Sequence, residues 1–236
     1  MNRALKASVW FAAALVLFGS TAWADAKQLT RVEQAIDVLD AIVRIPEQGI
    51  PTKLLRNAAG IVVVPNVVKA GFVVGGRHGK GLLSVRAPDG AWTNPSFVSL
   101  TGGSFGFQAG VQSTDVVLVF KTQRGVDGIV NGKFTLGGDA SVAAGPVGRN
   151  AQAATDGQLT AEIYAYSRSR GLFAGVALDG SVLAIDHKSN EQVYGRGTTP
   201  RKIFGGDLDW VPDQIVSFRD LIEEQMARQV AARPGN

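Results

Sequence analysis

Residues 100–110 read LTGGSFGFQAG, and within them Gly102-Gly103-Ser104-Phe105-Gly106 fits G-x-S-x-G. That pattern can present a nucleophilic serine on a strained turn between a strand and a helix. The context argues against it. Phe105, Phe107, Ala109 and Val111 alternate with small or polar residues, which is strand periodicity, and Gly106 and Gly110 disfavour the helix that an elbow needs. His187 does follow the serine in chain order, with acids between, but so loose a constraint selects nothing. The expectation is a glycine-marked strand and no catalytic residues.

Other chemistries find less. His78 and His187 are the only histidines, far apart and without a cysteine or a His-x-x-x-His partner, so no metal site is expected. GGRHGKG has glycines but the spacing of neither phosphate-loop nor dinucleotide fingerprints, and no cofactor is expected. The segment EIYAYSRSRG remains. In a strand, Glu162, Tyr164, Tyr166, Arg168 and Arg170 share one face. Arginines pair with phosphate and tyrosines lie well at an interface, so this face could receive an anionic headgroup; the alternative is a solvated outer sheet face. Arg77, Lys80 and Arg149 are further loop cations with the same two readings.

The elements that must position these residues follow from periodicity. Arg3 and Lys6, an apolar stretch over 7–18 and Ala22-Trp23-Ala24 read as a secretory signal peptide cut after Ala24. The chain has no cysteine, hence no lipid-anchor site, and the expected compartment is periplasmic or extracellular. The remaining 25–236 suit a single domain, with a formal charge of +2 once Arg3 and Lys6 are removed from +4. So small a charge gives no electrostatic case for nucleic acid.

Leu29, Val32, Ile36, Leu39 and Val43 predict an opening helix, and Pro51 a short second one. Strands are predicted at IVVVP, stopped by Pro65, and in GFVVGGRHGKGLLSVR, turning near His78-Gly79. SFGFQAGVQSTDVVLVF reads as another pair, turning near 113–115. A short helix is predicted within 121–131. Strands then resume, with Asp179-Gly180 as a hairpin signal, before a final helix after Pro212 with Ile215, Phe218, Leu221, Ile222 and Met226 as its stripe. The fold class is α+β: one domain, mainly an antiparallel sheet of about eight short strands, barrel-like closure left open, braced by N- and C-terminal helices. A transmembrane barrel is disfavoured by the terminal helices, the short strands and 8% aromatics.

Several stretches together resemble the SYLF domain family, the lipid-binding module also known as an actin regulator in yeast. They are AAGIVVVP, GFVVGGRHGKGLLSVR, WTNPSFVSLTGGSFGFQAGVQSTDVVLVF, FTLGGDASVAAGPVGR and YSRSRGLFAGVALDGSVLAID, spanning about Leu54 to Gly195. The most specific pieces are Gly145-Pro146-Val147-Gly148-Arg149 and Tyr166-Ser167 leading to Gly171-Leu172-Phe173-Ala174-Gly175. The resemblance implies that Ser104 sits in a scaffold strand, and that the function is non-enzymatic binding of anionic membrane lipid. Eukaryotic members bind phosphoinositides, and yeast members bundle actin. The opening helix here balances acids and bases, unlike the basic N-terminal segment of eukaryotic members, and an exported chain is not expected to meet actin. The expected headgroup contacts are Arg77, Lys80, Arg149, Arg168 and Arg170, and the alternative partner is an envelope protein.

Overall fold

The computed structural model describes residues 26–41, 50–147, 159–169 and 172–231. The expected leader over residues 1–24, and Arg149 and Arg170, lie outside them. The opening helix, α1, occupies residues 26–41, and α2 is Thr52–Arg56. Then come two strands of unusual length, β1 (Gly60–Val85) and β2 (Ser96–Phe120), followed by α3 (Gln123–Val130). Short strands follow: β3 (Lys133–Thr135), β4 (Val142–Ala144), β5 (Ile163–Ser169), β6 (Leu172–Gly175) and β7 (Val182–Ile185). Three helices complete the described residues: α4 (His187–Tyr194), α5 (Pro200–Gly205) and α6 (Asp213–Ala231).

Two of the sequence expectations fail in the same way. Neither His78-Gly79 nor 113–115 is a turn; β1 and β2 run through both as one antiparallel ribbon, from Gly60↔Phe120 to Leu83↔Ser96. Nor does Pro65 stop a strand, since it falls at a bulge, where a missing N–H costs no ladder bond. The bulge places Pro65 and Asn66 of β1 against Asp115 alone, and Asn66 takes a left-handed φ of 52°. A second irregularity places 107–109 of β2 opposite Phe72 of β1, between Gly71↔Gly110 and Val73↔Gly106. The strand with the extra residues follows the longer path, so the ribbon bends there with β2 outside. Glycine pairs flank the bend, Gly71↔Gly110 and Gly76↔Gly103, and a Cβ on Gly75 would lie 2.3 Å from the Ala70 carbonyl oxygen where β1 turns back on itself.

The bend folds the ribbon back until the two ends of β1 meet. The Arg86 amide donates to the Ala59 carbonyl at 2.8 Å. A Cβ on Gly81 would lie 2.1 Å from the Val63 carbonyl oxygen, so only glycine admits this approach. Each long strand therefore acts as two. One end of β2 pairs with β7 and the other with β5, giving the order β3-β7-β2-β5-β4, with β1 on β2 and β6 on β5. All pairings are antiparallel except β4 with β5. The curled sheet is a half-barrel, and the fold is a single α+β domain.

Both faces of the sheet are covered, which explains why IVVV and VVLVF are continuous apolar runs rather than alternating ones. The concave face encloses Val62, Val64, Leu83, Val98, Val116, Leu118 and Phe120, closed by Val126 and Ile129 of α3. The convex face presents Ile61, Val63, Leu82, Val117, Val119 and Tyr166 to α1, α2 and α6. The extra residue at the bulge reverses the phase of β1, so that Ile61 and Val63 face the helices before it and Leu82 after it. The expected stripe of the last helix is buried at Ile215, Phe218 and Ile222, with Leu221 at its margin. The side chain of Met226 lies outside the described residues. Asp179-Gly180 does turn, with Gly180 at φ 72°, but it joins no hairpin, because β6 pairs with β5 and β7 with β2 and β3.

Candidate functional site

Of the four large apolar side chains exposed among the described residues, Trp210 lies between α5 and α6, and Val68, Val111 and Leu172 lie on the ribbon and on β6. Val68 and Val111 are 42% and 74% exposed. They lie on one face of the ribbon, because Val68 opposes Ser113 and Val111 opposes Ala70. Leu172, 61% exposed, opens β6 at the end of β5 where Arg168 opposes Asp115 of the ribbon. The backbone of Ser104 lies in this bend, opposite Gly75, with strand continuing to Phe120. The strand–turn–helix that a nucleophile elbow needs is not what the chain makes there.

The expected headgroup cations are distributed as follows. The Lys80 ammonium donates to Oδ2 of Asp186 at 2.6 Å. Arg168 pairs with Asp115 at 3.4 Å, and the other oxygen of Asp115 accepts from the Asn66 amide at the bulge. Both cations thus have an acidic partner within the fold. Arg77 is different: one Nη donates to the Ala177 carbonyl at 3.2 Å, its Nε is buried without a partner, and no carboxylate meets it among the described residues. Burial pushes its guanidinium below the ordinary arginine range. It lies on β1 opposite Gly102, just beyond the bend. Lys80, on the opposite parity, faces the α4 side, so these two cations do not converge.

The Tyr-Tyr-Arg-Arg face is corrected by the structure. Tyr164 and Tyr166 are buried under the helices, not solvated and not free to meet a headgroup. Tyr166 packs on Gly145, where a Cβ would lie 2.0 Å from its ring. The Gly145 amide donates to the Ala165 carbonyl at 2.9 Å, and that carbonyl also accepts from Val176. The described parts of the two most specific motif pieces therefore pack on one another at Gly145, Tyr166 and Gly175. Burial pushes the Tyr166 phenol far above its ordinary range, with neighbouring Tyr164 adding to the shift.

Sequence reasoning missed α4 and α5. Their signals were present: Asp186 caps α4 by accepting from the Ser189 amide, and Thr199-Pro200 supplies a cap and a first-turn proline for α5. α4 ties down the ribbon. The buried Asn190 accepts from the Phe97 amide at 2.8 Å and donates to Ser96, and the Tyr194 hydroxyl donates to the Pro95 carbonyl at 2.5 Å. The 86–95 turn is held by Arg86, which donates to three carbonyls and lies 4.9 Å over the Trp92 ring.

Comparison with known proteins places the sequence among relatives. The family described as Ysc84, Las17-binding protein actin regulator, matches residues 101–225. LAS seventeen-binding protein 3 of Saccharomyces cerevisiae is 37% identical over 193 residues, covering 80% of this chain and 41% of that protein. The human SH3 domain-containing YSC84-like protein 1 is 35% identical over 198 residues, covering 80% of this chain and 58% of that protein. Protein YSC84 of Saccharomyces cerevisiae is 38% identical over 169 residues, 70% of this chain and 36% of that protein. The chain thus spans about half the length of these relatives, or less.

Proposed function

The chain belongs to the Ysc84, or SYLF, family, and from that premise we propose that it is a non-enzymatic module that docks on anionic phospholipid surfaces through its sheet bend. The observation that carries this reading is the exposure of Val68, Val111 and Leu172, with Arg77, which meets no carboxylate among the described residues, just beyond the bend. Apolar side chains entering the acyl boundary beside a cation reaching phosphate is an interfacial arrangement, driven by buried apolar area and electrostatic attraction together. Val111 and Leu172 each bring up to about 2 kcal/mol on burial. No helix among the described residues is long and apolar enough to cross a membrane. The basic, apolar pattern of residues 1–24 supports export, which would make the surface that of a bacterial-type envelope.

A second reading rests on the relatives' names, which describe binding to Las17 and regulation of actin. On it, the same surface docks a protein, which in an envelope would be another partner. Flotation with vesicles decides. The purified protein should rise with phosphatidylglycerol or cardiolipin vesicles and not with phosphatidylcholine, and lose binding as salt increases. Val111→Asp with Leu172→Asp should weaken flotation at least tenfold while the circular dichroism is retained. Absence of binding to every vesicle would overturn the lipid reading and favour the protein one.

A further inference from the structure

At the end of the ribbon opposite the bend, an open cavity of about 500 Å³ lies between α2, the 86–95 turn and the start of α3. It is lined by Arg56, Arg86, Gln123 and Asn57, together with Ala58, Ala59, Ala87 and Pro88, and no acidic residue is among them. Among the described residues no carboxylate pairs with either guanidinium. Arg86 spends three N–H groups on the carbonyls of Ala58 (3.0 Å), Gly90 (3.2 Å) and Arg56 (3.2 Å), and meets no carboxylate among the described residues. A guanidinium has five donors, so two remain. Three carbonyls and the Trp92 ring fix its plane, which makes it a preorganised positive group. Arg56 closes α2 beside it, and its Nε is buried with no partner. Gln123 turns its amide to Asp127 at 3.4 Å, a long bond that is easily exchanged. Asp89, the acid of the adjoining turn, is occupied with the Ala91 amide.

We propose that this cavity is a binding site for a phosphate monoester, with Arg56 and Arg86 as its charged contacts and Gln123 as a neutral donor. Two guanidiniums that line one cavity and meet no carboxylate among the described residues repel one another and have donors to spare. An oxyanion removes the repulsion and accepts from both forks, which is the geometry arginine offers to phosphate. The chemistry is shared by a phosphatidic-acid headgroup and by a small soluble phosphate. The site is independent of the docking bend, from which it is separated by the length of the folded ribbon.

The test is a titration of the whole protein with inorganic phosphate at low ionic strength, followed by 1H–15N correlation spectra. Saturable shifts are expected at Ala58, Ala59, Ala87 and the Arg56 Nε. Arg86 holds the turn together and is left intact. Arg56→Gln should weaken phosphate at least fivefold and Arg56→Lys should restore part of it, both with unchanged thermal midpoints. Absence of saturable shifts, or equal affinity in Arg56→Gln, would overturn the site. Vesicles of phosphatidic acid in phosphatidylcholine then name the source: Arg56-dependent competition with phosphate identifies a headgroup, and phosphate binding untouched by the vesicles identifies a soluble ligand. Val111→Asp with Leu172→Asp should leave the phosphate titration unchanged, which separates failure of the bend from failure of this cavity.

Discussion

Asp186 links three elements with one carboxylate. It caps α4, accepts from Lys80 of β1 at 2.6 Å and from the Ser189 hydroxyl at 2.7 Å, and faces Arg31 of α1. Burial alone would push its carboxyl up, but the bonds from Lys80 and Ser189 outweigh burial and hold it below the ordinary carboxylate range. A folded-state value below the unfolded one contributes stability that is complete above about pH 4 and is lost as the pH falls through the folded value. Urea denaturation at pH 6 and pH 3 should therefore show wild type losing more stability than Asp186→Asn over that interval. At the alkaline side the signs reverse. Burial raises the Tyr166 and Tyr194 phenols, so the stability they hold is complete below about pH 10 and fades above it. Tyr194→Phe should remove part of that alkaline loss, and cost about 1 kcal/mol at neutral pH by leaving the Pro95 carbonyl without its donor.

Among the elements, the bent ribbon and its partner β5 set what tolerates change. Gly145→Ala would drive a methyl into the Tyr166 ring, and a loss of about 1–3 kcal/mol in urea unfolding is expected. Much of this level was legible in the sequence. α1, α3 and the last helix followed from their apolar stripes, because a helix buried on one side writes a 3.6-residue period. The ribbon was not. Its glycines were read as turns because glycine marks turns and bends alike, and only the pairing partner distinguishes them. That Gly71 lies across from Gly110 is a fact about two segments 39 residues apart. The tyrosine face was misplaced for a similar reason. An alternating Tyr-x-Tyr-x-Arg strand is the same whether water or a helix lies above it, and α6 returns to cover it from the far end of the chain. Of the five expected contact residues, Arg149 and Arg170 lie outside the described residues; among those residues Arg77 meets no carboxylate, whereas Lys80 and Arg168 have acids fixed by tertiary structure. Arg56 and Arg86 were not singled out, although Arg86 closes the stretch GFVVGGRHGKGLLSVR, because nothing in the sequence shows that α2 brings Arg56 beside it.

For the molecule as a whole, covering both faces of one sheet makes the helical layer a structural requirement. Phe218 and Ile215 of α6 are fully buried and belong to the same core cluster as residues of β1, β2 and β5. Phe218→Ala is expected to cost about 3–5 kcal/mol, a large share of the stability of a domain this size. Thermal unfolding should drop accordingly and remain a single transition by both near- and far-ultraviolet circular dichroism, since the two cores share every strand of the ribbon. Unfolding in two separate steps would contradict that.

The meeting of the two ends of β1 also has a bearing on how the chain reaches this state. The ribbon can zip from the 86–95 turn outward, each rung adding little loop entropy, until Gly60 finds Phe120. The clasp between Ala59 and Arg86 can close only after the bulge and bend have formed, so it belongs after the main barrier. Substitutions at the turn, such as Trp92→Ala, should therefore slow folding. Gly81→Val, at the clasp, should leave that rate nearly unchanged and speed unfolding instead.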